Sequence, residues 1–199
     1  MGILCCERKW LAMKIGCVVL AAGNGARFGE NKLLHTFDGE TMISRAFSAV
    51  PAEKMDTVVV VTQYREIEQL ANERGFIPIR NEHPDWGQSY SVKLGLQALI
   101  DCDAVLFQVS DQPLLKRKTV ASLIDFYQQH PNNIAALGYR GQRGNPCLFP
   151  AAYFPELLAM EGDHGGNVVI RKHENDLLLL DVSPSELTDI DTPEQTKLF

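Results

Sequence analysis

The sequence predicts an α/β domain built as three layers, α/β/α, around a mostly parallel, Rossmann-like sheet. Three observations predict it. Short continuous apolar runs alternate with helical segments from residue 15 to residue 130, the pattern of successive βαβ units. The first run ends in a glycine-rich loop, LAAGNGARFGENKLL over residues 20–34, and open sheets of this class hold ligands beyond the carboxyl ends of their strands. The chain has 199 residues, 45% of them apolar, enough for one sizeable core.

Each element follows from its own stretch. Ile15 to Ala22 (IGCVVLAA) is a continuous apolar run stopped by Gly23, as expected of a strand buried on both faces. Thr41 to Val50 reads as a helix with Thr41 at its N-cap. Thr57 to Thr62 (TVVVVT) is a second buried strand, Glu66 to Arg74 a helix closed by Gly75, and Phe76 to Ile79 a short third strand. Ser91 to Ile100 is helical, Ala104 to Val109 (AVLFQV) is another buried strand, and Lys116 to Gln129 forms a longer helix. Later the pattern loosens, with strands expected over Ile134–Leu137, Cys147–Phe149 and Leu177–Leu180 and a helix over Val168–His173. No repeat, low-complexity stretch or linker divides the chain. Residues 14–199 therefore read as one domain, and residues 1–13 as an N-terminal extension with no expected order.

Nineteen basic against 25 acidic side chains leave a net charge of −6, which argues against a nucleic-acid or anionic-membrane surface. No apolar run approaches the roughly 20 residues that span a bilayer. The cysteines at 5, 6, 17, 102 and 147 form no Cys-x-x-Cys pair and read as reduced, mostly packing thiols of an intracellular protein. Cys147 follows a Gly-Asn-Pro turn, a weak candidate nucleophile. The start MGILCC has Cys at position 6 where a myristoylation signal needs Ser or Thr, and no secretory apolar core follows. The expected location is the cytoplasm.

The glycine-rich loop carries the chemistry. Glycines let backbone N–H groups approach an anion closely, and Arg27 and Lys32 add charge-assisted contacts, so a polyphosphate ligand is expected. The dinucleotide fingerprint fails, because Phe28 stands where its third glycine belongs and the second strand ends at Thr62-Gln63 without the ribose-binding acid. A Walker A loop fails too, since Lys32 is followed by Leu33. No Gly-x-Ser-x-Gly or His-Glu-x-x-His occurs.

The stretch L-A-A-G-x-x-x-R-F-G-x-x-K, Leu20 to Lys32, resembles the signature of the MobA-like nucleotidyltransferases, and within them is most similar to the molybdenum cofactor cytidylyltransferases. Further blocks follow in the family's order: GQSYSVKLGL (87–96), SDQP (110–113), RGNPCLF (143–149) with GDHGG (162–166), and DIDTPE (189–194). The resemblance covers Ile15 to the C-terminus. It implies the nucleotide-diphospho-sugar transferase type of fold and transfer of a nucleotidyl group. A terminal phosphate of the acceptor, molybdopterin or molybdenum cofactor, attacks the α-phosphorus of CTP or another NTP, and pyrophosphate leaves. It also implies Mg²⁺ and a molybdenum hydroxylase client.

By the same resemblance, the backbone of Leu20, Ala21, Ala22 and Gly23 cradles the base, and Asn24, Gly25, Ala26 and Arg27 wrap the phosphates. Arg27 and Lys32 neutralise charge on the α-phosphate and the departing pyrophosphate. Asp111, closing its strand, is the expected Mg²⁺ ligand, with a second carboxylate from Asp189-Ile190-Asp191; Asp191 is favoured, although it also precedes Thr192-Pro193, a helix start. Gly87 and Ser91 face base and ribose, and Ser91 is equally placed to cap the helix after it. Gln88-Ser89-Tyr90 departs from the small Met-Ser-Ser type of the family. Arg143, Asn145, Asp163 and His164 fall in the acceptor half. The remaining histidines (35, 83, 130, 173) read as surface or turn residues.

Other readings stay open. The guanylyl branch carries Leu-Ala-Gly-Gly where this chain has Leu-Ala-Ala-Gly, so Ala22 points to the cytidylyl side. Enzymes that make CDP-methylerythritol share that start but lack the Arg-Gly-Asn-Pro and Gly-Asp-x-Gly-Gly pair. A non-catalytic carrier of the molybdenum cofactor would leave Arg27, Lys32 and Asp111 without chemical duty. A dehydrogenase is more distant still.

Overall fold

A computed structural model describes residues 13–23, 31–192 and 195. In chain order the described elements are β1 (Ile15–Ala21), β2 (Thr36–Phe37), β3 (Glu40–Thr41), α1 (Met42–Ala49), β4 (Thr57–Thr62), α2 (Arg65–Glu73), β5 (Ile77–Arg80), α3 (Gln88–Ala98), β6 (Ala104–Val109), α4 (Arg117–Gln129), β7 (Ile134–Tyr139), β8 (Gln142–Pro150), α5 (Phe154–Ala159), α6 (Asn167–Lys172) and β9 (Leu177–Asp181). Short 3-10 turns join several of them.

One sheet runs in the order β5-β4-β1-β6-β8-β7-β9, and β2-β3 form a separate two-residue hairpin. Strands β4, β1 and β6 are parallel neighbours; β8 alone is antiparallel to β6 and β7, while β9 pairs parallel with β7. Alternation along β1 divides the core. Ile15, Cys17, Val19 and Ala21 pack on one face with Phe47 of α1, Ile67 of α2 and Tyr127 of α4. Val18 packs on the other with Leu96 of α3, Leu157 of α5 and Ile170 of α6. Helices therefore cover both faces, giving the three-layer α/β/α arrangement expected from the sequence. On the second face α3 lies close to β1 because Gly95 has no side chain: a Cβ there would stand 2.4 Å from Val18 Cγ1.

After β1 the chain first builds outward through β4 and β5, then crosses back to place β6 on the other side of β1. This is a switch point, where loops diverge and leave a cleft over the carboxyl ends. Thr41 caps α1 as expected, its hydroxyl accepting from Ser44 N.

Three expectations are corrected. Helix α3 begins at Gln88, not Ser91, because its first amides find distant partners: Gln88 N donates to Asp163 Oδ1 and Ser89 N to Gly162 O. Ser91 is thus inside the helix, buried, and its Oγ accepts from Asn81 Nδ2 at 3.0 Å. Second, the segment before Cys147 is not a turn. It lies within β8, which runs through a cis Asn145–Pro146 peptide and is held on both sides by β6 and β7. Third, α5 over FPELLA was not expected; six residues are too few to display a helical period. The Arg140-Gly141 turn that joins β7 to β8 has positive φ at both residues, 50° and 80°, the two-residue hairpin geometry. Among the described residues no helix is long and apolar enough to cross a membrane.

Candidate active site

The cleft at the switch point has a volume of about 490 Å³, and its wall includes Leu20, Ala22, Gly23, Lys32, Gly87 and Ser91. Ser110 and Asp111, directly after β6, form its floor. Ala21 turns its side chain into the sheet core, which leaves its backbone for the role expected of it. Asn24, Gly25, Ala26 and Arg27 lie outside the described residues, as do Pro193 and Glu194 of the last sequence block.

An ion cluster stands at the floor. Lys32 Nζ donates to Asp111 Oδ2 at 2.9 Å and to Asp191 Oδ1 at 3.1 Å, with the Ile190 carbonyl at 3.4 Å. The 3-10 turn Lys32–Leu34 brings the ammonium there; its start is fixed by Asn31, whose Oδ1 accepts from Leu33 N. The C-terminal segment is pinned to the same place by Ile190 N donating to the Asp111 carbonyl at 2.8 Å. Burial works to lower the Lys32 pKa, but the Asp111 and Asp191 carboxylates outweigh it and hold the value above the ordinary 10.5. The group is a firm cation at neutral pH.

Asp189 and Asp191 separate in role. Asp191 faces Lys32, whereas Asp189 Oδ1 accepts from Gln112 Nε2 at 2.9 Å. Burial first, then the Asp111 charge, pushes the Asp189 carboxyl above its ordinary 3.8. Among the described residues no group of three or more His, Cys, Asp and Glu side chains converges as a metal cage. Asp111 and Asp191 converge on the Lys32 ammonium; as hard oxygen donors beside it they are the groups that would hold Mg²⁺, an ion commonly held by one or two carboxylates plus substrate phosphates.

A second cavity of about 460 Å³ adjoins the cleft, with Leu20, Gln88, Val109 and Asp163 in the wall of both. The expected acceptor residues Arg143, Asn145, Asp163 and His164 all line it. Arg143 donates to Asn167 Oδ1 at 2.9 Å and to Cys147 Sγ at 3.3 Å, partners that leave its charge uncancelled. Cys147 is buried, and burial raises its thiol pKa more than Arg143 lowers it. That suits a packing thiol, not a nucleophile. Asp163 has a structural duty too, capping α3 through Gln88 N.

Sequence reasoning missed Asn81, which orients Ser91, Gln112, which orients Asp189, and Asn167, which orients Arg143. Gln112 stands inside SDQP, beside the metal candidate, so its motif was a signal. Asn81 and Asn167 had none, being single amides in unremarkable loop and helix text.

A mostly parallel sheet with a charged cleft over its switch point defines an α/β protein with a ligand site at the carboxyl ends of its strands. Comparison with known sequences is more specific: the chain belongs to the family of MobA-like NTP transferase domains, whose model matches residues 17–177. It is similar to the purine catabolism protein PucB of Bacillus subtilis (strain 168), 27% identical over 191 residues, 89% of this chain and 92% of that protein. It is also similar to the bifunctional protein GlmU of Bifidobacterium adolescentis, 33% identical over 129 residues; that match takes in 60% of this chain and only 28% of GlmU. A solved nucleotidyl transferase from Methanothermobacter superimposes with a TM-score of 0.77 at 25% identity, covering 93% of this chain and 94% of the other.

Proposed function

We propose that this nucleotidyltransferase moves CMP from CTP to the terminal phosphate of molybdopterin or molybdenum cofactor. A phosphate oxygen of the acceptor bonds to the α-phosphorus, the bond from that phosphorus to the bridging oxygen of the β-phosphate breaks, and pyrophosphate leaves with the electron pair. The observation that carries the reading is the Lys32–Asp111–Asp191 cluster in a cleft that shares a wall with the cavity of Arg143. The two substrates thereby meet at one boundary.

The protein's work is positioning and charge neutralisation. The backbone of Leu20, Ala21, Ala22 and Gly23, with Gly87 and Ser91, holds base and ribose. Asn24, Gly25, Ala26 and Arg27 wrap the phosphates, and Lys32 and Arg27 balance charge on the α-phosphate and leaving group. Asp111 and Asp191 hold Mg²⁺, which when bound supplies a positive charge against the phosphate oxygens. Arg143, Asn145, Asp163 and His164 receive the acceptor. Ala22 supports CTP over GTP, because the guanylyl branch carries glycine at that position of the Leu-Ala-Ala-Gly start. A purine-oxidising molybdenum hydroxylase as client accords with the name of the Bacillus relative. We place the reaction in the cytoplasm, in a domain spanning residues 14–199.

Pyrophosphate release tests this with Mg²⁺, molybdenum cofactor and each of CTP, GTP, ATP and UTP. The expected result is release with CTP alone, reduced about 10²-fold or more by Lys32→Ala and by Asp111→Ala. Release with GTP contradicts the base assignment. No release with any nucleotide contradicts the transferase reading for this acceptor.

A further inference from the structure

Four consecutive backbone carbonyls at the end of β1 are each taken by a different side chain. Ser110 Oγ donates to Leu20 O at 2.9 Å, Thr62 Oγ1 to Ala21 O at 3.0 Å, Gln63 Nε2 to Ala22 O at 2.8 Å, and Tyr64 Oη to Gly23 O at 3.0 Å. Three of these donors are successive residues, Thr62 closing β4 and Gln63 and Tyr64 in the turn after it, and Thr62 Oγ1 also accepts from Tyr64 N, which closes that turn on itself.

In a regular strand successive carbonyls point to alternate sides. Here the carbonyls of Ala21 and Ala22 both point at the Thr62–Tyr64 turn, so alternation is broken. Within a trans peptide the N–H points opposite to the C=O, and the only cis bond among the described residues is Asn145–Pro146. The N–H groups of Ala22 and Gly23 therefore both face away from that turn. Ala22 and Gly23 line the cleft, whereas Thr62, Gln63 and Tyr64 do not. Thr62 and Gln63 thus sit behind the backbone and turn two neighbouring N–H donors away from themselves, in residues that line the cleft.

We infer that Gln63 is a positioning residue for the nucleotide base: by tying down the carbonyl of Ala22, as Thr62 ties down that of Ala21, it fixes the neighbouring N–H groups of Gly23 and Ala22 as paired amide donors for acceptor atoms on the base edge. The inference rests on the proposed seating of the base against Leu20–Gly23. It concerns the base and leaves the phosphates to other groups. Hydroxyl and amide are well suited to this, since both donate without adding a charge behind a site that must accept a polyanion.

The test uses Gln63→Leu, which removes the donor without adding a charge, and Gln63→Glu, which keeps the shape but replaces the donor with an acceptor. Equilibrium binding of CTP, GTP, ATP and UTP with Mg²⁺, and of inorganic tripolyphosphate, which has no base, is measured on the full chain. Each variant is expected to bind the nucleotide preferred by the parent about tenfold more weakly, with tripolyphosphate affinity and melting temperature unchanged. Nucleotide affinity equal to the parent's overturns the inference. So does a parallel loss for nucleotide and tripolyphosphate, which would mark a general structural role. A parent protein that binds tripolyphosphate but no nucleoside triphosphate better overturns the base seating itself, and the inference with it.

Discussion

Lys32 shows how one residue acquires a function from its neighbours. A lysine on a solvated loop is unremarkable, but this one has an ammonium between two carboxylates that reach it from β6 and from the C-terminal segment. Its raised pKa stabilises the fold at every pH below its ordinary 10.5, and that contribution is lost only as pH climbs through the folded value. Asp189 has the opposite sense. An acid whose folded pKa is raised above 3.8 opposes folding once ionised, so the parent gives up stability as pH rises from 3.8 through the folded value. Asp189→Asn should therefore melt at or above the parent temperature at pH 7, with the difference fading toward pH 4. Because an Asn oxygen still accepts from Gln112, this variant should keep pyrophosphate release within a few-fold of the parent, whereas Asp111→Asn should lose about 10²-fold. Thermal melts from pH 4 to 8 and the release assay check both halves. Lys32 and Asp111 were legible in the sequence because their motifs carry them. The division of labour between Asp189 and Asp191 was not, since it depends on Gln112 and on where Ile190 docks.

At the scale of elements, the segments read correctly are those whose signals are local. β4 and β6 match their apolar runs residue for residue, and α1 begins at its own cap. The misread elements take their boundaries from elsewhere in the chain. Helix α3 starts early because the 162–163 loop caps it, whereas α4 is found one residue from its expected start, with Lys116 N just ahead of it donating to Glu186 Oε2 at 3.1 Å. Gly87 is the joint between α3 and its distant cap. Its φ is +86°, and a Cβ would lie 2.6 Å from the Gly162 carbonyl group. Gly87→Ala should cost about 2–3 kcal/mol in denaturant unfolding and weaken nucleotide binding as α3 shifts. Gly165→Ala makes a useful contrast. Its Cβ would meet the end of the Gln88 side chain at 2.7 Å, and Gln88 is exposed and free to turn, so the loss should stay within about 1 kcal/mol. Equal losses in the two variants would contradict the cap.

For the whole molecule, the parallel half of the sheet and its glycine-rich loop were written openly in the sequence, and with them the fold class. In the other half the strands β7, β9 and the end of β8 lie where they were expected, but the early start and reversal of β8 were not legible, because a strand threaded with Arg143, Gly144, Asn145 and Pro146 looks like loop text until β6 and β7 flank it. That insertion matters functionally: it builds the second cavity next to the first. The 3-10 turn Pro184–Leu187 then bridges the two sides, with Leu187 packed over Gly144 and its carbonyl accepting from Gln112. The cleft floor and β8 are thus tied through one short segment, an arrangement that suits the two-substrate transfer proposed above. The most direct test of that transfer follows the phosphorus. With CTP labelled at either the α- or the γ-phosphate, Mg²⁺ and molybdenum cofactor, the account predicts that α-label appears in the pterin product and γ-label only in pyrophosphate. γ-Label in the pterin product, or none of the α-label there, would contradict it.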